Sequence, residues 1–180
     1  MRLYHASLNR WVRRKYNEIF PGKKLNVLRS FGLLNNEAYS FCVTHRNKID
    51  SLILDSGTWT LNNASPEVSK YITLNNYKDY AHTTGKYFDF YFNFDSNFTD
   101  DGFEDNLYNQ KTLEETGLSP IPVVHQIEGA EIDYFLSKGY PRVALGSTQI
   151  KNVETLARVM DKFAGTIKKP RNSKCLLPLF

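Results

Sequence analysis

Leu52-Ile53-Leu54-Asp55-Ser56-Gly57 gives the clearest indication of the fold in this 180-residue chain. A run of branched apolar residues ends abruptly in an aspartate, a serine and a glycine. A parallel strand that is buried on both faces has this pattern, because apolar side chains carry it through the core. The aspartate then lies where the strand opens to solvent, and the glycine permits a sharp turn. We therefore expect a buried parallel strand with Asp55 at its carboxyl end.

Short apolar segments alternate with helical patterns along the rest of the chain. The predicted strands cover residues 3–7, 26–31, 51–55, 88–95, 121–125 and 142–146. The helical patterns lie near residues 8–20, 34–48, 66–82, 103–117, 129–139 and 151–164. This alternation favours an α/β fold with a parallel sheet. We predict one domain over residues 1–180, built as a (β/α) TIM-type barrel with about six recognisable strands.

The length of the chain limits that barrel. A full eight-stranded barrel takes about 250 residues, so the chain could be a shortened protein, a fragment, or one half of a barrel that a partner completes. The apolar segment 175–180 is compatible with a seventh strand, an interface or a truncation point. A second copy of the chain or a different partner chain could complete the barrel.

Charge is distributed unevenly around a net value of +4. Residues 1–50 carry ten Lys/Arg against three Asp/Glu, residues 151–180 carry seven against two, and the middle hundred carry six against fourteen. Basic ends around an acidic middle suit a carboxylate-lined site flanked by surfaces that attract polyanions, although solvated helix faces explain such runs equally well. The sequence contains no apolar run of the roughly 20 residues that span a membrane. With no secretory signal and two widely spaced cysteines, we expect a cytoplasmic protein without metal, cofactor or membrane contact.

Residues 88–95 alternate strictly between aromatic and polar side chains. One face carries Phe88, Phe90, Phe92 and Phe94, and the other carries Asp89, Tyr91, Asn93 and Asp95. In a barrel the phenylalanines would contact the helices, and the polar face would line a site. A half-exposed edge strand is the alternative.

Four strand ends are expected to meet at one edge of the sheet. They contribute Asp55, Asp95, His125 and Gly146. Two neighbouring aspartates suit acid/base or nucleophilic chemistry, because close carboxylates push their pKa values apart. Asn93 and Gln126 could read the edge of a heterocyclic base, and Trp59 and Tyr91 could stack on it.

Each of these residues also has a purely structural interpretation. Asp55 could cap the turn at Ser56-Gly57, His125 could be a satisfied structural histidine, and Trp59 could belong to the core. The acidic loop 95–102 could bind a hard cation through oxygen ligands, although it lacks the full EF-hand spacing and a solvated loop is the simpler interpretation.

The strand ends, taken in order, resemble those of the tRNA-guanine transglycosylase superfamily. The resemblance covers roughly residues 26–150 and is closest to a phage and bacterial branch that inserts 7-deazaguanines into DNA. Its segments are Leu52-Ile53-Leu54-Asp55-Ser56-Gly57, Asn93-Phe94-Asp95, Pro122-Val123-Val124-His125-Gln126 and Ala144-Leu145-Gly146-Ser147. Thr58-Trp59-Thr60 departs from the Gly-Phe-Gln of the tRNA enzymes, and neither the family's nucleophilic aspartate on a later strand nor its zinc site has a counterpart.

The resemblance implies a base-exchanging transglycosylase that replaces guanine with a 7-deazaguanine in DNA or tRNA. By this resemblance, Asp55 and Asp95 are the catalytic candidates: Asp55 acts as an acid/base group and Asp95 recognises the heterocycle. The implied substrate-binding residues are Ser56, Gly57, Asn93, His125, Gln126 and Gly146. If the chain is complete, Asp55 or Asp95 must supply the nucleophile. The alternatives are a non-catalytic barrel that binds nucleic acid or a partner, and a metal-assisted barrel hydrolase using Asp55, Asp95 and His125.

Overall fold

The fold is described from a computed structural model covering residues 4–6, 10–33, 45–126 and 129–146, together with positions 154, 157, 158 and 161. The strands are β1 (Leu25–Ser30), β2 (Ile49–Asp55), β3 (Phe90–Tyr91), β4 (Val123–Val124) and β5 (Ala144–Leu145). The α-helices are α1 (Arg10–Ile19), α2 (Thr58–Asn63), α3 (Pro66–Ser69), α4 (Leu74–Thr84), α5 (Phe103–Glu115) and α6 (Ala130–Ser137). Short 3-10 helices cover Phe31–Leu33, Arg46–Lys48 and Gly85–Tyr87.

The strands form two small parallel sheets in sequential order. One sheet has the order β1-β2-β3, and the other pairs β4 with β5. The register of β1 and β2 runs from Leu25 opposite Ile49 to Ser30 opposite Asp55. A parallel bridge between Phe92 and Ile121 links the two sheets, and another joins His5 to Val27. The carboxyl ends of the strands therefore lie along one edge.

The predicted TIM-type barrel is wrong. In the described part of the chain, five short strands make two small open sheets, and their pairings close no barrel. Two local features shorten the strands. The Asp89 carboxylate accepts the backbone N–H of Leu52 at 2.9 Å, and Pro122 has no N–H to donate beside β4. The fold is a mixed α/β arrangement with open parallel sheets.

Several predicted elements differ from the observed ones or lie outside the described residues. The single helix expected over 66–82 is divided into α3 and α4. The strand expected over 3–7 is represented by the bridge at His5. The segment 175–180 and most of the helices predicted over 34–48 and 151–164 lie outside the described residues.

Alternating side chains on β2 pack against two different clusters. Leu52 and Leu54 are fully buried against the cluster that contains Tyr77. Ile53 packs in another cluster with Phe92 and Val123. Because side chains on a strand alternate between faces, Asp55 shares the face of Ile53. The buried sheet face that contains Ile53 thus ends at the Asp55 carboxylate.

The aromatic segment 88–95 does not keep one aromatic face. Phe88 and Phe94 pack in the cluster around Tyr77, whereas Phe90 and Phe92 pack in the cluster around Ile53. Regular strand structure here is confined to β3, so strict alternation is not maintained through Asp95. The expectation that all four phenylalanines share one face was wrong.

Candidate functional site

Asp55 ends β2 in a tight turn. Its Oδ2 accepts the backbone N–H of Gly57 at 3.1 Å, and the hydroxyl of Ser30, at the end of β1, also donates to it. Gly57 has a φ of 80°, and a Cβ at this position would lie 2.1 Å from the backbone nitrogen of Gly32. This turn therefore requires glycine, both for its dihedral angle and for the close approach of the two backbones. Asp55 does cap the turn, and it also remains partly accessible to solvent.

Asp95 is the most firmly held side chain of the site. Its Oδ1 accepts the hydroxyls of Ser56 at 2.8 Å and Thr58 at 3.1 Å. Its Oδ2 lies 3.0 Å from Nε2 of His125. The carboxylate is buried, so this hydrogen bonding replaces the water that it loses. Two hydroxyls of the turn after β2 and the imidazole after β4 together fix its orientation.

His125 is positioned by its surroundings at the end of β4. Glu131, in the first turn of α6, accepts the backbone N–H groups of His125 at 2.8 Å and Gln126 at 3.3 Å. Phe98 packs on the imidazole with ring centroids 4.9 Å apart. Gly146 leaves room for the ring, since a Cβ there would lie 2.9 Å from its Cε1. These contacts fix the imidazole ring in an orientation in which Nε2 faces Asp95.

The two aspartates lie in different environments, and the difference affects the chemistry of Asp55. The pKa of Asp55 is raised to about 6. Burial is the larger cause of this shift, and the neighbouring negative charge of Asp95 is the second. The hydrogen bonds from Ser30 and Gly57 oppose this shift. A carboxyl group with this pKa changes protonation state close to neutral pH, as a general acid or base must.

Two predicted base-reading residues point to other partners. The Asn93 amide donates to the carbonyl of Asn106 on α5 at 2.8 Å, so it ties the end of β3 to a helix. The Gln126 amide donates to the carbonyl of Asp100 at 2.6 Å and holds the loop 95–102. The structure therefore brings Asp55, Ser56, Asp95 and His125 together. Asn93 and Gln126 are nearby residues engaged in structural hydrogen bonds.

The two residues predicted to stack on a base, Trp59 and Tyr91, are not brought together at the site. Trp59 is 70% exposed at the start of α2, so it is not part of the core. Tyr91 uses its hydroxyl to accept the backbone N–H of Ser119.

The acidic loop 95–102 is held by hydrogen bonds of its own. Asn97 in this loop donates to Asp105 and accepts from Thr99. Among the described residues, no group of three His, Cys, Asp or Glu side chains is placed to hold a metal ion.

Thr58 and Glu131 are the residues that sequence reasoning missed. Thr58 departs from the pattern of the resembling family, yet its spacing from Ser56 brings both hydroxyls to Asp95. Glu131 could have been found as an acid in the first turn of a helix that follows a strand end, where it meets backbone N–H groups. Thr58 donates to the Asp95 carboxylate, and Glu131 accepts the backbone N–H of His125.

Within the described residues, no helix is both long and apolar enough to cross a membrane. Comparisons with protein-family models, with curated proteins and with solved structures find no match to this chain.

Proposed function

We propose that the carboxyl edge of the sheets binds a guanine-like base and exchanges it in a nucleic acid, either DNA or tRNA. The observation that carries the proposal is the pair Asp55 and Asp95. One carboxylate is fixed by three donors, and the other has a pKa of about 6. The resemblance of the strand ends to the tRNA-guanine transglycosylase superfamily supports the same assignment of roles.

Asp95 is suited to recognition rather than to attack. An ionised carboxylate offers about four acceptor positions, and Ser56, Thr58 and His125 occupy three of them. The remaining position on Oδ2 can accept an N–H of a heterocycle such as guanine. Donors lower the nucleophilicity of a carboxylate because they stabilise its charge, so we assign Asp95 to binding and orientation.

Asp55 is suited to move a proton. In the exchange that we propose, the bond from C1′ to N9 of guanine breaks with its electron pair going to the base, and the protonated Asp55 gives its proton to the departing base. In the return step a nitrogen of the incoming base bonds to the positively charged C1′, and Asp55 takes the proton from that base. A pKa of about 6 makes both forms of Asp55 accessible near neutral pH. The resembling family takes a nucleophilic aspartate from a later strand, whereas the exchange proposed here proceeds by attack of the incoming base itself.

The test is incorporation of labelled guanine into guanine-containing DNA and into tRNA by the purified chain. We expect incorporation by the wild type and a loss of about 100-fold or more in Asp55→Ala, because proton transfer contributes at least this much. Asp79→Ala, which removes an exposed carboxylate on α4, is the matched control and should retain full activity. Incorporation that is absent in the wild type, or undiminished in Asp55→Ala, contradicts the proposal.

Direct binding of guanine separates recognition from chemistry. Equilibrium dialysis should show that Asp95→Ala loses guanine, whereas Asp55→Ala retains most of its affinity. Guanine binding without incorporation would favour the non-catalytic alternative. In the part of the chain that the structure describes, no group of three His, Cys, Asp or Glu side chains is placed to hold the metal ion that a metal-assisted hydrolase would use.

A further inference from the structure

A basic cavity lies at the edge of the sheet opposite Asp55. It has a volume of about 370 Å³ and is bounded by α1, by the turn that leads into β1 and by the segment before β2. Leu25 and Ile49, the first residues of β1 and β2, form part of its wall. Its cationic lining consists of Arg13, Lys23, Lys24 and Lys48, with His45 beside them. We call this feature the amino-edge cavity.

The positive charge of the amino-edge cavity is not neutralised from within the described residues. No aspartate or glutamate lines it, and none of its four Lys/Arg side chains forms an ion pair with a described residue. The pKa of His45 is lowered first by burial and then by the charges of Arg13 and Lys48, so the positive field of these two side chains reaches the lining of the cavity. Such a field attracts anions.

A groove along α1 continues from this cavity. It has a volume of about 750 Å³, and Arg13 and Asn17 line both spaces. Trp11 lies on the groove and is 67% exposed, so its indole is available to a flat ligand. Arg14 also borders the groove, where it pairs with Glu18 at 3.0 Å. Cations next to an exposed aromatic side chain are the combination that binds unpaired nucleotides.

We propose that the amino-edge cavity and the α1 groove form a binding surface for a single strand of nucleic acid. Backbone phosphates would occupy the cavity, bound by Arg13 and the three lysines. An unpaired base would stack on Trp11 in the groove. The continuity of this basic cavity with an aromatic groove favours a polymer over a free phosphorylated molecule.

This surface is separate from the Asp55 site. Leu25 and Ser30 are the first and last residues of β1, so the two edges are about 17 Å apart at a rise of roughly 3.3 Å per residue. The inference rests on the proposed function only for the identification of the polymer as a nucleic acid. It requires no chemistry at Asp55, so strand binding and base exchange are measured separately and the two proposals can fail independently.

Fluorescence anisotropy with a labelled single-stranded oligonucleotide of about twelve residues tests the surface. We expect binding by the full chain that weakens with added salt. The combined variant Lys23→Gln, Lys24→Gln and Lys48→Gln should bind at least about tenfold more weakly. Its slope of log affinity against log salt should be shallower by about 2, because three phosphate contacts are removed. Trp11→Ala should weaken binding about tenfold without changing the salt slope.

The matched control removes the same net charge elsewhere. Lys70→Gln, Lys86→Gln and Lys111→Gln change three exposed lysines outside the cavity and groove, and this variant should keep the affinity and slope of the wild type. Equal weakening in both triple variants overturns the proposal in favour of nonspecific attraction. Binding of inorganic phosphate or a mononucleotide without binding of the oligonucleotide also overturns it, since the cavity would then take a small phosphorylated ligand. Circular dichroism spectra that match the wild type establish that the variants are folded.

Discussion

The two edges of the parallel sheets carry charges of opposite sign, which are buried at one edge and exposed at the other. At the carboxyl edge, the acidic side chains of Asp95 and Glu131 are buried and hydrogen-bonded to residues from other parts of the chain. At the amino edge, the basic side chains of Lys23, Lys24 and Lys48 are exposed around a cavity. The first arrangement fixes charges in place, and the second leaves them available to a ligand.

The difference matters for stability as well as for binding. A buried acid that loses its donors retains the cost of desolvation, so changes at the carboxyl edge should destabilise the fold. Exposed lysines are hydrated in the folded and unfolded states alike, so substitutions of the lysines at the amino edge should leave stability nearly unchanged. Four predictions test this contrast, beginning with the largest effect.

Glycine-to-alanine changes should separate the two edges most clearly. Gly57 and Gly22 both have positive φ angles, 80° and 76°. A Cβ at Gly57 would lie 2.1 Å from the backbone of Gly32, whereas one at Gly22 would meet nothing within 4 Å. Gly22→Ala should cost about 1 kcal/mol for the dihedral angle alone. Gly57→Ala should cost at least about 3 kcal/mol, because two backbones must also move apart.

Urea denaturation of the two variants measures both costs. Because the dihedral angles match, the difference in free energy of unfolding isolates the close approach of Gly57 to Gly32. Equal losses in the two variants would show that the carboxyl edge does not depend on that contact.

The stability of the chain should respond to the titration of Asp55. The pKa of Asp55 in the folded state is about 6, above its ordinary value of 3.8, so the folded state holds this proton more tightly than the unfolded state does. The contribution of Asp55 is therefore present below pH about 4 and is lost as pH rises toward 6. The loss should amount to about 1 to 3 kcal/mol, because each pKa unit corresponds to about 1.4 kcal/mol and the carboxyl group is partly exposed.

Asp55→Asn should remove this dependence on pH. Urea denaturation at intervals between pH 4 and pH 8 should show that the variant gains stability relative to the wild type as pH rises. Asp79→Asn controls for the loss of a negative charge at an exposed position on α4. A constant difference between Asp55→Asn and the wild type over this range would contradict the shifted pKa.

Glu131→Gln should destabilise the carboxyl edge by about 1 to 3 kcal/mol. Its carboxylate is buried and accepts two backbone N–H groups, and an amide accepts them without the charge that strengthens both bonds. Glu104 is also an acid in the first turn of a helix, on α5, but it is exposed. Glu104→Gln is therefore the matched control and should cost less than about 0.5 kcal/mol. Thermal or urea unfolding of both variants measures the difference, and equal costs would show that Glu131 is not held as the structure places it.

The carboxyl edge also shows how far sequence reasoning reaches. Asp55 could be placed at a strand end because three apolar residues precede it, and parallel pairing then puts the other strand ends beside it. Asn93 could not be placed in the same way. Its partner on α5 depends on how the helix packs, and the alternation that put Asn93 beside Asp95 is interrupted after β3. Whether the sheet closes into a barrel could not be predicted either, because closure depends on strand lengths, and long-range contacts such as that of Asp89 with Leu52 set those lengths.

Glu18→Gln should have the smallest effect on stability, and it should strengthen the binding of the oligonucleotide. Glu18 pairs with Arg14 at 3.0 Å and with Lys15 at 2.8 Å on the exposed surface of α1. Exposed pairs of this kind contribute about 0.3 to 0.5 kcal/mol each, so unfolding should change by less than about 1 kcal/mol. Because Glu18 is the acid that borders the groove, its neutralisation frees Arg14 for phosphate, and oligonucleotide affinity should rise about two- to fivefold at low salt. Glu115→Gln, an exposed acid at the end of α5, should leave that affinity unchanged. Anisotropy titrations of both variants measure the contrast, and a fall in affinity in Glu18→Gln would mean that the pair with Arg14 shapes the groove rather than competing with its ligand.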